Sequence, residues 1–503
     1  MTKNMIPVII GASQYTQPKD SPNPLDPIGM MAKTCQAALQ EASLKGKKDL
    51  IDTLYVSNIY CLAYDNAPED LAKRLEIHPI EKYYAPIGGN TPQMLVNRAA
   101  KAIELGEAQF VLITGGESCY SLSRGKKKEI VLNWEKGSST PNNKALLEYA
   151  SKMSDSEKIY KIFRAPNAYA LFETALRAKT GKSLQNHLEH MGSLFEKFSK
   201  IASKNLYAWS RRSFKKEEII SPAPNNRIIN HPYLKHLIAN PYVDQAAAII
   251  MTSQKNAETL SIDLDNWIYL MGGVDLSNIS DLARRPRLYD SPAIKEASKL
   301  ALKQSGLSLQ DIDGFDLYSC FPCMVDIARN EIGILEDDPR DLTLIGGLPF
   351  FGAPFNNYSM HAIVAAIQMI HDNPSLNLMI TANGGFNEKQ SIGIYGKKPP
   401  LIPWCEINVD EAQKSIFAEK LPEPIVQANG TLLIEAYTLY YNRDGEPTGG
   451  LVIGTIEGKG RALAFIEAEI QVLYEVAKKE LVGREYPIKY DSQKKINKLI
   501  IVE

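Results

Sequence analysis

The sequence predicts an α/β protein built from two similar halves, with a helical insertion over about residues 120–240 and a small β-rich, barrel-like domain at the end. Three observations carry that prediction. Strand-like and helix-like segments alternate from the N-terminus. A helix–strand–glycine loop–helix–strand series returns after roughly 260 residues, the mark of a duplicated domain rather than a solenoid. After the proline-rich stretch Gly396-Lys-Lys-Pro-Pro-Leu-Ile-Pro403 the pattern changes to that of β-hairpins.

In chain order, Val8–Ile10 reads as strand, Ile28–Ala42 as helix and Leu54–Ile59 as strand. Pro92–Leu105 reads as helix, and Phe110–Gly115 as a short buried strand ended by glycines. The insertion is rich in Lys, Arg, Tyr and Ser, and Val243–Met251 returns to a buried strand. Ala293–Gln304 and Gln310–Tyr318 then repeat the helix–strand step of the first half. Gly346-Gly-Leu-Pro-Phe-Phe-Gly352-Ala-Pro354 reads as a loop that no regular element absorbs, and it feeds an apolar helix, Met360–Ile370. Gly88-Gly-Asn-Thr-Pro-Gln93 does the same before its own helix, so the two loops are expected to face each other near a pseudo-twofold axis. These features place a first half at 1–270, a second at 271–405 and an additional domain at 420–503. In the last, Ile434–Tyr441 and Gly449–Thr455 flank an Asp-Gly turn.

Composition excludes several classes. Lys+Arg 57 against Asp+Glu 58 leaves no basic field for nucleic acid. No run of about 18 apolar residues predicts a membrane span, and the N-terminal apolar run is too short for a signal peptide. Six scattered cysteines fit reduced thiols in the cytoplasm. Cys320-Phe-Pro-Cys323 has C-x-x-C spacing but lacks the second ligand pair a zinc site needs, so no metal is expected there.

Taken together, Gly88-Gly-Asn-Thr-Pro-Gln93, Ile113-Thr-Gly-Gly-Glu-Ser118, Asn226-Arg…Pro232-Tyr233, Asp244-Gln-Ala-Ala-Ala248, Tyr318-Ser-Cys-Phe321 and Gly346-Gly…Gly352-Ala-Pro354 resemble the thiolase superfamily over about residues 6–400. The domain beyond them is similar to that of type 1 thiolase-like proteins. The resemblance implies a thiolase-like αβαβα duplicated core, coenzyme A or acyl-CoA as substrate or ligand with no permanently bound cofactor, and a possible homodimer formed edge to edge. A monomer is the alternative if the insertion or extra domain covers that edge. It also implies acyl transfer through an acylated cysteine, with a His, an Asn or His, and a second Cys on later loops.

The chain departs from that pattern at each position. The nucleophile position falls at Thr91; the Gly-His-Pro motif becomes Gly352-Ala353-Pro354; the Cys-x-Gly loop becomes Ala382-Asn383-Gly384. What remains gives the candidate residues. His361, in the first turn of its helix, is either an acid/base or a packing residue. Cys320 and Cys323 supply a replacement thiol or fill the core. Thr91 is a nucleophile only with an adjacent base, and otherwise an N-cap or turn residue. Asn383, beside Gly384, donates to an oxyanion or satisfies a turn. Arg211 and Arg212, with Lys215 and Lys216, meet coenzyme A phosphates or form a solvated face, and Gly352 and Gly384 are the coenzyme-binding candidates on the loops. Two functions follow: an acyltransferase with a rebuilt site, or a non-catalytic acyl-CoA-binding or scaffold protein.

Overall fold

The structure, a computed structural model, describes residues 5–134, 150–151 and 153–501. Residues 135–149 and 152 of the expected insertion lie outside the described residues. Strands β1 (Pro7–Thr16), β2 (Thr53–Val56), β3 (Glu81–Tyr84) and β4 (Phe110–Ser118) come first. The short strands β5 (Ile228–Asn230) and β6 (Tyr233–Leu234) lie in the insertion, and β7 (Asp244–Ser253) completes the first half. The second half holds β8 (Ile268–Ser277), β9 (Gly314–Asp316), β10 (Leu378–Gly384) and β11 (Lys389–Gly396).

Nine of these strands form one mixed sheet in the order β3-β2-β4-β7-β1-β8-β11-β10-β9. The duplication is visible in it. From edge to centre, β2-β4-β7-β1 and β9-β10-β11-β8 follow the same scheme, with β2 parallel to β4 and β9 parallel to β10. The halves meet through Val8↔Tyr269 and Ile9↔Ile268. β4 runs on through Gly115 and Gly116, instead of ending there, because β7 pairs with it along its whole length. β2 stops earlier than expected, at Val56. Beyond it the Ile59 N–H is taken by the Tyr84 hydroxyl, and those of Tyr60 and Cys61 by Glu117.

Outer helices Pro27–Glu41 and Pro292–Ser305 cover equivalent strands, and each requires a glycine beneath it. A Cβ on Gly11 would lie 2.5 Å from the Ala38 carbonyl oxygen, and one on Gly272 2.3 Å from that of Ala301. The central helices Thr91–Leu105 and Tyr358–Asp372 pack on each other. The loops that feed them touch, as expected: Gly88 N–H donates to Asn356 Oδ1 at 2.9 Å, and Ser359 Oγ to the Gly89 carbonyl at 3.3 Å. The second loop is more regular than expected, since Gly347–Phe350 winds into one helical turn.

The last domain is a closed barrel of five strands: β12 (Gly430–Tyr441), β13 (Pro447–Ile456), β14 (Gly460–Ile466), β15 (Glu485–Asp491) and β16 (Ile496–Leu499). The ring runs β12-β13-β14-β16-β15 and returns to β12, with helix Ile470–Ala477 packed on β13. Closure removes the free edges. The insertion is stitched to this barrel. β5 pairs with β12 at Asn230↔Tyr440, and the Thr174 hydroxyl, on helix Ala165–Thr180, accepts the Tyr437 N–H at 3.1 Å.

Candidate active site

The Gly88–Asn90 loop, the Tyr318–Phe321 loop and the end of β10 meet helix Ala165–Thr180 around a cavity of about 960 Å³. Its walls are largely apolar, with the rings of Tyr169, Trp209, Phe214, Phe350 and Phe386 among them; its polar groups include Tyr318, Cys320, Asn356 and Asn383. Gly89 is required by crowding: a Cβ there would sit 2.1 Å from the Tyr318 hydroxyl and 2.6 Å from the Asn383 carbonyl. Arg227 and Lys235 supply a cationic wall, and burial lowers the pKa of the His236 imidazole beside them.

Cys320 and Asn383 are thus brought together. Asn383 Nδ2 donates to the Tyr169 hydroxyl at 2.9 Å and lies 4.0 Å from Cys320 Sγ; its Oδ1 accepts from Gln390 at 3.0 Å. Tyr169 donates in turn to the Gly385 carbonyl at 2.8 Å and stacks on Phe321 with centroids 4.4 Å apart. The network fixes the amide's orientation. Burial pushes the Cys320 thiol up to about 12, and the Tyr169 and Asn383 hydrogen bonds offset only part of this. At neutral pH the sulfur is a thiol, not a thiolate.

The other candidates fall outside the lining. Cys323 is fully buried, its sulfur 3.4 Å from the Tyr233 hydroxyl and 3.6 Å from the Tyr169 carbonyl, and burial holds its thiol well above the ordinary range. Thr91 is the first helical residue rather than the cap, which is Asn90; its hydroxyl donates to the Pro86 carbonyl at 3.1 Å. His361 is fully buried, and its Nδ1 pairs with Gln14 Oε1 at 3.0 Å. Helical phase explains its direction. Ser359 reaches the Gly89 loop, and two residues on a helix turn the side chain by about 200°. Burial pushes His361 down to about 3, so the ring is neutral.

Gly352 serves a close approach, its missing Cβ standing 2.6 Å from Gln245 Oε1, and Ala353 rather than Gly352 lines the cavity. Gly384 lets the first loop in, with a Cβ position 2.2 Å from Asn90 Oδ1, and Gly385 is the lining residue. Arg211 is exposed, and Arg212 pairs with Glu218 and lies over the Phe214 ring. The lining cations are instead Arg227 and Lys235. Arg227 lies inside the Asn226-Arg motif, so its position was readable from the sequence but its cationic role was not.

Residues 411–493 match the family described as the thiolase-like protein type 1 additional C-terminal domain. Over the whole chain, the crystal structure of a monomeric SCP2-thiolase-like protein type 1 from Mycobacterium smegmatis superposes with a TM-score of 0.85 and 30% identity, covering 100% of both chains. The chain belongs to the SCP2-thiolase-like proteins of type 1. More remote matches share the fold alone. The acetyl-CoA acetyltransferase of Syntrophomonas wolfei gives a TM-score of 0.56 at 14% identity. The human mitochondrial 3-ketoacyl-CoA thiolase in complex with CoA gives 0.57 at 13%. Each of these two covers 78% of this chain and 99% of its own. No curated protein matches the chain by sequence. This chain thus combines a thiolase-like fold with a closed five-stranded barrel, and the insertion within the first half forms one side of the cavity.

Proposed function

We propose that the cavity binds an acyl-CoA thioester without turning it over by the thiolase route. The observation that carries this reading is the state of Cys320. It is the one cysteine among the lining residues, and burial keeps it protonated with only hydroxyl and amide partners. A nucleophilic sulfur needs a base or a lowered pKa, and this one has neither. The aromatic walls suit an acyl chain, the Asn383 amide suits a thioester carbonyl, and Arg227 with Lys235 suits coenzyme A phosphates. The cavity volume falls within the usual range for small-molecule sites. The free thiols support a reducing compartment, the cytoplasm in this reading.

A second reading, an acyltransferase rebuilt around Cys320, rests on that thiol lining the cavity with the Asn383 nitrogen 4.0 Å away. Calorimetric titration of the purified protein with coenzyme A and acetyl-CoA, followed by intact-protein mass, separates the two. The binding reading expects one ligand per chain, at least about tenfold weaker in Arg227→Ala (about 1.4 kcal/mol), and no acyl adduct. An acetyl adduct lost in Cys320→Ala would establish the transferase; absence of binding would remove both.

A further inference from the structure

Away from the cavity's polar floor, the loop after β2 and the end of β4 bring Cys61, Glu117 and Cys119 together. β2 and β4 pair in parallel with Val56↔Thr114 in register, so the loop after β2 runs beside the last residues of β4. One donor atom from each of the three side chains lies within 4.8 Å of the others, and among the described residues no other group of three ligating side chains comes this close. We infer that Cys61, Glu117 and Cys119 form a three-ligand site for a thiophilic divalent cation of the Zn²⁺ class.

The spacing fits. Zinc bonded to two thiolates and a carboxylate with a tetrahedral arrangement puts its donor atoms about 3.6–3.8 Å apart. Cys119 Sγ lies 3.7 Å from Glu117 Oε2. The supporting groups suit bound ligands. Glu117 Oε1 accepts the Tyr60 N–H at 2.6 Å and Oε2 the Cys61 N–H at 2.9 Å, leaving a lone pair on each oxygen for a cation. The Ser118 N–H donates to Cys61 Sγ at 3.4 Å, an outer hydrogen bond that a metal-bound sulfur would keep. Two sulfurs and one oxygen select zinc over magnesium or calcium. Cys61 and Glu117 are buried while Cys119 is half-buried, which leaves an approach from the Cys119 side.

On binding, the two thiol protons leave to solvent and two S–metal bonds and one O–metal bond form. With the Glu117 carboxylate ionised, the centre carries one net negative charge, and water completes the fourth position. The site stands behind the cavity wall. Tyr60, between Asn58 and Cys61, stacks on Phe355 with centroids 3.8 Å apart, and Phe355 and Tyr120 both line the cavity. A cation here would brace that wall.

The test uses the full chain, reduced and stripped with a chelator, then titrated with Co²⁺ and back-titrated with Zn²⁺. One equivalent should give sulfur-to-cobalt charge-transfer and tetrahedral d–d absorption that Zn²⁺ abolishes. Cys119→Ser should weaken Zn²⁺ binding at least about 100-fold, beyond the usual loss from an outer hydrogen-bond partner, while Cys405→Ser binds as the parent does. Alkylation mapping on the unmutated protein gives an independent reading: Zn²⁺ should protect the half-buried Cys119 and leave Cys405 reactive. Overturning results are no cobalt–thiolate band, bands unchanged in Cys119→Ser, no protection by zinc, or a Cys61–Cys119 disulfide in place of two metal-binding thiols.

Discussion

A buried neutral imidazole makes stability depend on pH, and His361 provides the case. Its ordinary value of 6.5 in the unfolded chain falls to about 3 in the fold because burial disfavours the cation. Between those values the unfolded state binds the extra proton, so stability is full above 6.5 and declines as pH falls toward 3. The slope from one such group is about 1.4 kcal/mol per pH unit. Thermal unfolding of the parent and His361→Gln across that interval should give a shallower acid loss in the variant; equal slopes would refute the assignment. Residue type was readable here and orientation was not. Histidine beside the loops suggested a base, but the rotation between Ser359 and His361 sends the ring toward Gln14. The same applies to Cys320 and Cys323. Three residues apart, one lines the cavity and the other packs under it against Tyr233. A reactivity prediction follows. Near neutral pH iodoacetamide should modify exposed Cys405 well before Cys320. Equally fast labelling of Cys320 would argue for the transferase.

At the level of elements, packing glycines hide two of the central strands in the sequence. β8 and β11 contain Gly272, Gly273 and Gly393, which interrupt an apolar pattern and read as breaks. In the fold they are the places where helices press on the sheet. A Cβ on Gly273 would meet Asn97 Oδ1 at 2.3 Å, and one on Gly393 would meet Gln93 Nε2 at 2.4 Å. Elements with clean periodicity, such as Thr91–Leu105 and Tyr358–Asp372, were legible to within a few residues, because a buried helix face repeats in the sequence whatever it packs against. Gly11 and Gly272 are the duplicated form of the packing glycine, and they give a paired prediction. Gly272→Val forces a methyl-bearing carbon against the Ala301 carbonyl and should destabilise the fold by about 1–3 kcal/mol or more, and Gly11→Val should do the same against Ala38. Denaturant unfolding measures both. A neutral result at either would mean that helix and sheet can part there without cost.

One edge and one joint decide how the molecule behaves as a whole. The sheet ends at β3 with four residues, Glu81 and Lys82 among them, and Arg98 lies over the Tyr83 ring there with Glu81 in an ion pair at 3.0 Å. So short and charged an edge is a poor template for pairing. Light scattering should therefore find a monomer, and a dimer that survives dilution would restore the edge-to-edge pairing that resemblance to thiolases implies. The joint is Arg461 of the barrel. It is buried, pairs with Glu435 and donates to the carbonyls of Ala283, Arg285 and Pro286 on the core. Replacing it by alanine strands buried acceptors whose loss of partners costs about 1–3 kcal/mol. Because β12 also carries β5 and helix Ala165–Thr180, and that helix supplies Tyr169 to the cavity, the barrel and the site are mechanically one unit. Arg461→Ala should lower the melting temperature and weaken coenzyme A binding together, although Arg461 lies outside the lining. If calorimetry instead resolves an early barrel transition while binding stays at the parental level, the barrel is a separable attachment and the cavity belongs to the thiolase-like core alone.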